Sequence, residues 1–183
     1  MTWSDTAPHP WRRYFARMLD VMWLGGLASF GLEFVVERAA PATYGMPYVD
    51  WGNAPVVGSF ILVAASLPPC ALAIGLTGTS PGKWLFGVRV LDAGGAPIGV
   101  GRALSREVAV WFRGLGLAIP IVTLVTCIVA FNHLKACRST TWDEARDLRV
   151  VHRSMGVGQV LGALAGMVLL VAPPVAAWLL GGH

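Results

Sequence analysis

Residues 51–82 read WGNAPVVGSFILVAASLPPCALAIGLTGTSPG, a run without a single charge. About 20 apolar residues in a helix cross the ~30 Å of hydrocarbon in a bilayer, so this run supplies a membrane span over 55–76. Two more uncharged runs of sufficient length follow, Gly114–Asn132 and Ser154–Gly182. A fourth apolar segment, 16–36, completes a span if Asp20 and Glu33 lie near its two ends. The chain is 55% hydrophobic and 13% charged, against about 25% charged in soluble domains. The sequence therefore predicts an all-α membrane protein, a multi-pass helical bundle.

Charge placement gives the topology. The N-terminal segment carries Arg12, Arg13 and Arg17, and the loop after the first span holds only Arg38. Basic residues then gather over Lys83–Arg113 and again over Lys135–Arg153. Lys and Arg accumulate in cytoplasmic loops, which predicts a cytoplasmic N-terminus. The polar first ten residues and the lack of a small-residue cleavage site after the first apolar stretch predict that this span itself targets the chain. The surplus of +4 reads as topology and contact with anionic lipid. No basic region stands free of the membrane segments, so nucleic acid is not an expected partner.

The chain divides into a tail over 1–10, a membrane domain over 11–153 with hydrophobic segments at 16–36, 55–76 and 114–132, and an additional helix over 154–183. Pro41, Gly45 and Pro47 predict an outer loop whose Tyr44, Tyr48 and Trp51 suit the headgroup layer. After Lys83, residues alternate with a period of two through Val90. Asp92–Gly95 offers a turn and Pro97–Val100 a returning strand, which together predict a small cytoplasmic β-hairpin. Leu148–Val151 is available as a third strand. Over 102–115, Leu104, Val108, Trp111 and Leu115 share one helical face, while Arg102, Arg106 and Arg113 share the other. That pattern predicts an amphipathic helix in the interface with its arginines on lipid phosphates, or an ordinary amphipathic helix packed on protein. Gly114–Asn132 either crosses once or turns back near Gly116 and Pro120; the charge bias favours the return. Gly158, Gly162 and Gly166 form a smooth stripe for helix packing, within the chain or between copies.

An ionisable side chain at membrane depth is costly, so it is usually paired or functional. Arg13, Arg17 and Asp20 fall at i, i+4 and i+7 on one face of the first helix. They form either a proton or cation site at the cytoplasmic mouth of a pathway or a structural ion pair. Gly78–Lys83 lacks the spacing of a phosphate-binding loop and a preceding strand. Cys127, His133 and Cys137 lack a fourth ligand at metal-site spacing, and Cys70 is read with the other cysteines as a small buried hydrophobe. No nucleophile sits with a base, so no catalytic residue, cofactor or metal is expected.

Three stretches together resemble the RDD family of bacterial membrane proteins: WRRYFARMLD at 11–20; SPGKWLFGVRV at 80–90 followed by GAP at 95–97 and GRAL at 101–104; and TWD at 141–143 followed by LRVV at 148–151. The family is named for an arginine and two aspartates. The resemblance implies that Asp20 and Asp143 are the aspartates and Arg13 or Arg17 the arginine. Arg146-Asp147 departs from the family's small Ala-Gly-Thr turn. Some members have been associated with cation–proton exchange. Two functions stay open: proton-coupled movement of a small cation or solute, or a non-transporting accessory module that docks a protein partner or anionic lipid. A homo-oligomer fits either.

Overall fold

The computed structural model describes residues 3–39 and 55–181. The predicted outer loop with Tyr44, Tyr48 and Trp51 lies outside the described residues. The first helix runs without interruption from Pro10 to Ala39. It comprises α1 (Pro10–Asp20), a π turn over Val21–Gly25, and α2 (Gly26–Ala39). Proline opens it, since its fixed φ suits the first helical turn and its missing N–H has no partner to lose there. Helix α3 (Pro55–Thr77) continues through Pro68 and Pro69. A short helix α4 (Pro81–Leu85) and strand β1 (Val88–Leu91) follow, then α5 (Val100–Arg113). A 3-10 turn over Gly116–Ala118 leads to α6 (Pro120–Cys137), α7 (Thr141–Glu144), β2 (Arg149–His152) and α8 (Val157–Gly181).

Among the described residues, three helices are long and apolar enough to cross a membrane: Pro10–Ala39, Val56–Thr77 and Pro120–Cys137. Their apolar side chains largely face outward. Leu27, Phe30, Ile121, Leu124 and Val129 are all exposed, as hydrocarbon surroundings permit and water does not. Close approach is confined to particular seams. At Gly25, inside the π turn, a Cβ would stand 2.5 Å from the Leu62 carbonyl oxygen of α3, so only glycine lets the two backbones meet.

The small sheet is antiparallel and two-stranded, but its strands are not neighbours in sequence. β1 pairs with β2, from Val88 opposite His152 to Leu91 opposite Arg149. The expected return over Pro97–Val100 is displaced because Gly99 donates its N–H to the Gly75 carbonyl at 3.1 Å and Val100 opens α5. The residues before β1 also depart from expectation: Pro81–Leu85 coils into α4 instead of extending from Lys83. Asp5 bridges the free edge of β2 at His152. Two apolar clusters seat the sheet. Ala71, Ile74, Val90, Ile98, Ala103 and Leu148 form one; Ala16, Leu19, Phe86, Val88 and Ala163 form the other.

Helix α5 runs antiparallel along α3. The Gly99–Gly75 bond marks one end, and the Phe60 and Trp111 rings, 4.8 Å apart, mark the other. The chain then turns, with the Thr123 and Thr126 hydroxyls donating to the carbonyls of Leu115 and Gly114. It returns through α6 to α7, which packs on α5. Segment 114–132 thus holds the 3-10 turn and most of α6, and α5 and α6 form a helical pair joined at that turn. On α8, a Cβ at Gly162 or Gly166 would sit 3.2–3.4 Å from Leu85, Leu19 or Trp23, whereas Gly158 faces open space. Two of the three stripe glycines therefore serve packing within this chain.

Candidate functional site

Where α1, α4, α5 and α7 converge, four cations and three carboxylates are drawn together. They are Arg13, Arg17, Lys83 and Arg106 with Asp20, Glu107 and Asp143. All but Arg13 are classed as buried.

Asp20 does not pair with its helix neighbours, contrary to the sequence reading. Lys83 Nζ lies 2.8 Å from its Oδ2, Ser80 Oγ donates to the same oxygen at 2.5 Å, and the Gly82 N–H donates to Oδ1 at 2.8 Å. Ser80 precedes α4 and would ordinarily cap it; here its hydroxyl is turned to the carboxylate instead. The approach depends on Gly82, where a Cβ would be 2.4 Å from the Ala16 carbonyl and 2.9 Å from Asp20 Oδ1.

Arg17 pairs with Glu107 of α5 through Nη1. Arg106 is bound on both sides: Nη1 donates to Glu107 Oε1 at 2.9 Å, and Nε donates to Asp143 Oδ1 at 2.7 Å. Thr140 Oγ1 donates to Asp143 Oδ2 at 2.6 Å, and Arg13 Nη1 stands 3.8 Å from that oxygen. Burial pushes the Glu107 carboxyl up, but the positive charges of Arg17, Lys83 and Arg106 outweigh it and hold its pKa down at about 2. Burial alone lowers the pKa of Arg106, and the facing charges of Asp143 and Glu107 more than reverse it, leaving the guanidinium raised.

The expected lipid role of Arg106 is therefore corrected: it is 7% exposed and fully engaged with carboxylates. α5 is turned with Ala103, Arg106, Glu107 and Val110 inward, while Leu104, Val108 and Phe112 look out. Arg102 and Arg113 remain exposed, and Arg102 Nη2 donates to the Arg146 carbonyl at 2.6 Å. Asp143, Arg13, Arg17 and Asp20 all lie in this one region. Lys83, Ser80, Glu107 and Thr140 were not anticipated as members. The available signal was the lone Glu of a basic amphipathic helix, set directly beside an Arg.

Two further polar features flank the network. Arg12 donates from Nε to the Phe86 carbonyl at 2.9 Å, and from Nη2 to the carbonyls of Phe86, Gly87 and Arg153 at 2.7, 3.2 and 2.8 Å. It thereby ties α1 to the end of the sheet where β1 begins and β2 finishes. His152 is fully buried, and neither ring nitrogen has a partner among the described residues. Burial, then the nearby charges of Arg13, His9 and Arg12, push its pKa down to about 3.

Among the described residues, one group could offer mixed ligands to a metal. His133, Cys137 and Glu144 have their ligand atoms within 4.8 Å of one another. Glu144 comes from α7, so the set escapes a reading confined to local spacing, while Cys127 is turned to the Gly114 carbonyl. His133 directs Nε2 at Glu144 and Nδ1 at Cys137. One ion cannot use both nitrogens, so this rotamer makes a hydrogen-bonded triad instead of a chelate.

The spanning helices and the small sheet beside them define a multi-pass helical membrane protein. The chain belongs to the RDD family, whose family model matches residues 7–146. That match includes every member of the ion network and leaves α8 beyond it. Comparison with curated proteins and with solved structures returns no match.

Proposed function

We propose that the chain is a non-enzymatic accessory module of the bacterial inner membrane, with its N-terminus and sheet on the cytoplasmic side, and that its ion network is a structural clamp. The observation that carries this reading is the saturation of the three carboxylates. Asp20, Glu107 and Asp143 each already face at least one cationic side chain, and Asp20 and Asp143 accept further hydrogen bonds. A carried alkali or alkaline-earth cation needs oxygen ligands to replace its water, and here four protein cations occupy those oxygens. Lys/Arg placement supports the orientation. Such a module acts by holding anionic lipid or a membrane partner.

Proteoliposomes under imposed Na⁺, K⁺ and H⁺ gradients test it. Flux no greater than in empty liposomes is expected. Flux that disappears in a stably folded Asp20→Asn variant would overturn the clamp.

A second reading, proton-coupled movement of a small cation or solute, is favoured by one observation: the π turn begins immediately after Asp20. Such turns frequently mark functional sites. Its signature is that same Asp20-dependent flux.

A further inference from the structure

Helix α6 stands away from the body, with only 6% of its span buried. Between it and α1 lies a cavity of about 460 Å³. Its walls are overwhelmingly apolar, with Trp11, Leu124, Ile128 and Phe131 among them, and Arg13, Arg17, Arg106 and Asp143 also line it. Apolar walls with a few convergent polar groups are the ordinary form of a small-molecule site, and the size falls within the usual ~300–1,000 Å³.

Arg17 shows what the cavity lacks. Its Nη1 is committed to Glu107, but Nε and Nη2 are buried with no hydrogen-bond partner among the described residues. Those two N–H groups form the side-on fork with which a guanidinium grips a carboxylate or phosphate through parallel bonds. Arg106 uses its own such fork on Asp143; the fork of Arg17 has no acceptor. Arg13 Nε, on the same helix face, has none either. The network holds one more cation than carboxylates, and a monoanion balances it.

We infer that the cavity binds an anionic phospholipid of the surrounding bilayer, its phosphodiester on the free fork of Arg17 beside Arg13 and one acyl chain between α1 and α6. At the ~30 Å³ of a water-sized group, the cavity holds about fifteen such groups, enough for part of one chain and not for a whole lipid. The exposed apolar side chains of α6 adjoin the bilayer, so lipid is the amphiphile at hand. This deepens the accessory reading by naming what the module holds, and it is decided by binding, not by flux.

The test is native mass spectrometry of the delipidated full chain titrated with phosphatidylglycerol, phosphatidylethanolamine or palmitate. Retention of one phosphatidylglycerol is expected, with about tenfold preference over phosphatidylethanolamine, whose ammonium adds a like charge beside Arg13 and Arg17. Arg17→Lys keeps a charge opposite Glu107 but loses the fork that grips the phosphodiester of either lipid, and should weaken retention of both about tenfold. Ala130→Trp fills the cavity without touching the network; it should abolish retention while the melting temperature holds. Equal retention of the two phospholipids, or undiminished retention in Ala130→Trp, would overturn the inference. Preferential retention of palmitate would overturn the phosphodiester. Ion flux alongside selective lipid retention would sink the accessory reading and leave the lipid site standing. Absence of both would do the reverse.

Discussion

Lys83 Nζ lies 2.8 Å from Asp20 Oδ2, 63 residues away in sequence, and both side chains are buried. The pair locks the start of α4 onto the first membrane helix just before its π turn. Removing one partner of a buried pair leaves an uncompensated charge, typically at ~3–5 kcal/mol. Asp20→Asn should therefore lower thermal stability in detergent by that order. A joint Asp20→Leu, Lys83→Met change, which removes both charges, should recover much of the loss. No recovery would show that the carboxylate's bonds to Ser80 and Gly82 matter more than the ion pair.

Glu107→Gln is expected to cost stability on the same scale as Asp20→Asn, because two guanidiniums, Arg17 and Arg106, converge on that carboxylate. Arg102→Gln on the same helix should be nearly silent, since its side chain is exposed. Parallel melting curves of the two variants check the contrast; equal effects would contradict the burial of one face.

Gly82→Ala adds one methyl, yet it meets the Ala16 carbonyl and Asp20 at once. Overpacking of this kind costs about 1–3 kcal/mol. A folded Gly82→Ala variant with an unchanged melting temperature would mean that α4 is free to shift away from α1.

Acid should weaken the fold in two windows. His152 has a native pKa of about 3 against 6.5 unperturbed. The unfolded chain takes up that proton first, so stability falls as pH drops from 6.5 toward 3. Glu107, held at about 2 against 4.5, contributes stability above pH 4.5 that is lost as pH falls toward 2. His152→Gln should flatten the upper window only. Melting temperature recorded from pH 7 to pH 3 reads both, and a flat profile in the unmodified chain would contradict the assignment.

Arg12→Lys tests the tie between α1 and the sheet. Lysine keeps the charge but cannot reach the Phe86, Gly87 and Arg153 carbonyls together. A loss of about 1–3 kcal/mol is expected, with faster amide exchange in 149–153. Unchanged exchange would show that Asp5 and β1 hold β2 without it.

The spans were legible because twenty uncharged apolar residues in a row have few other uses, and Asp20 stood out because charge is rare in such company. Its partner was not legible. Helical spacing reports neighbours along one helix, and it offered Arg17; the fold instead brings Lys83 from another segment and gives Arg17 to Glu107, 90 positions away. α5 misled for a different reason. The rule that apolar faces turn inward presumes water outside. Here Leu104, Val108 and Phe112 face out and the charged Arg106 and Glu107 face in, which is how membrane proteins bury costly polar groups. The sheet was half readable: the alternation at Val88–Val90 marks a strand, but nothing local names His152 rather than Ile98 as its neighbour.

The widened turn at Val21–Gly25 takes in one residue more than an ordinary α-helical turn. Each residue in an α-helix advances the chain by about 100°. In an unbroken α-helix one extra position between Asp20 and Gly25 would swing Asp20 away from Lys83 by that angle for as long as Gly25 stays against Leu62; the wider π turn takes that position up. The widened turn thus works as a rotational shim: it absorbs a surplus residue so that one continuous rod still presents Asp20 to the electrostatic clamp and Gly25 to its neighbouring transmembrane helix.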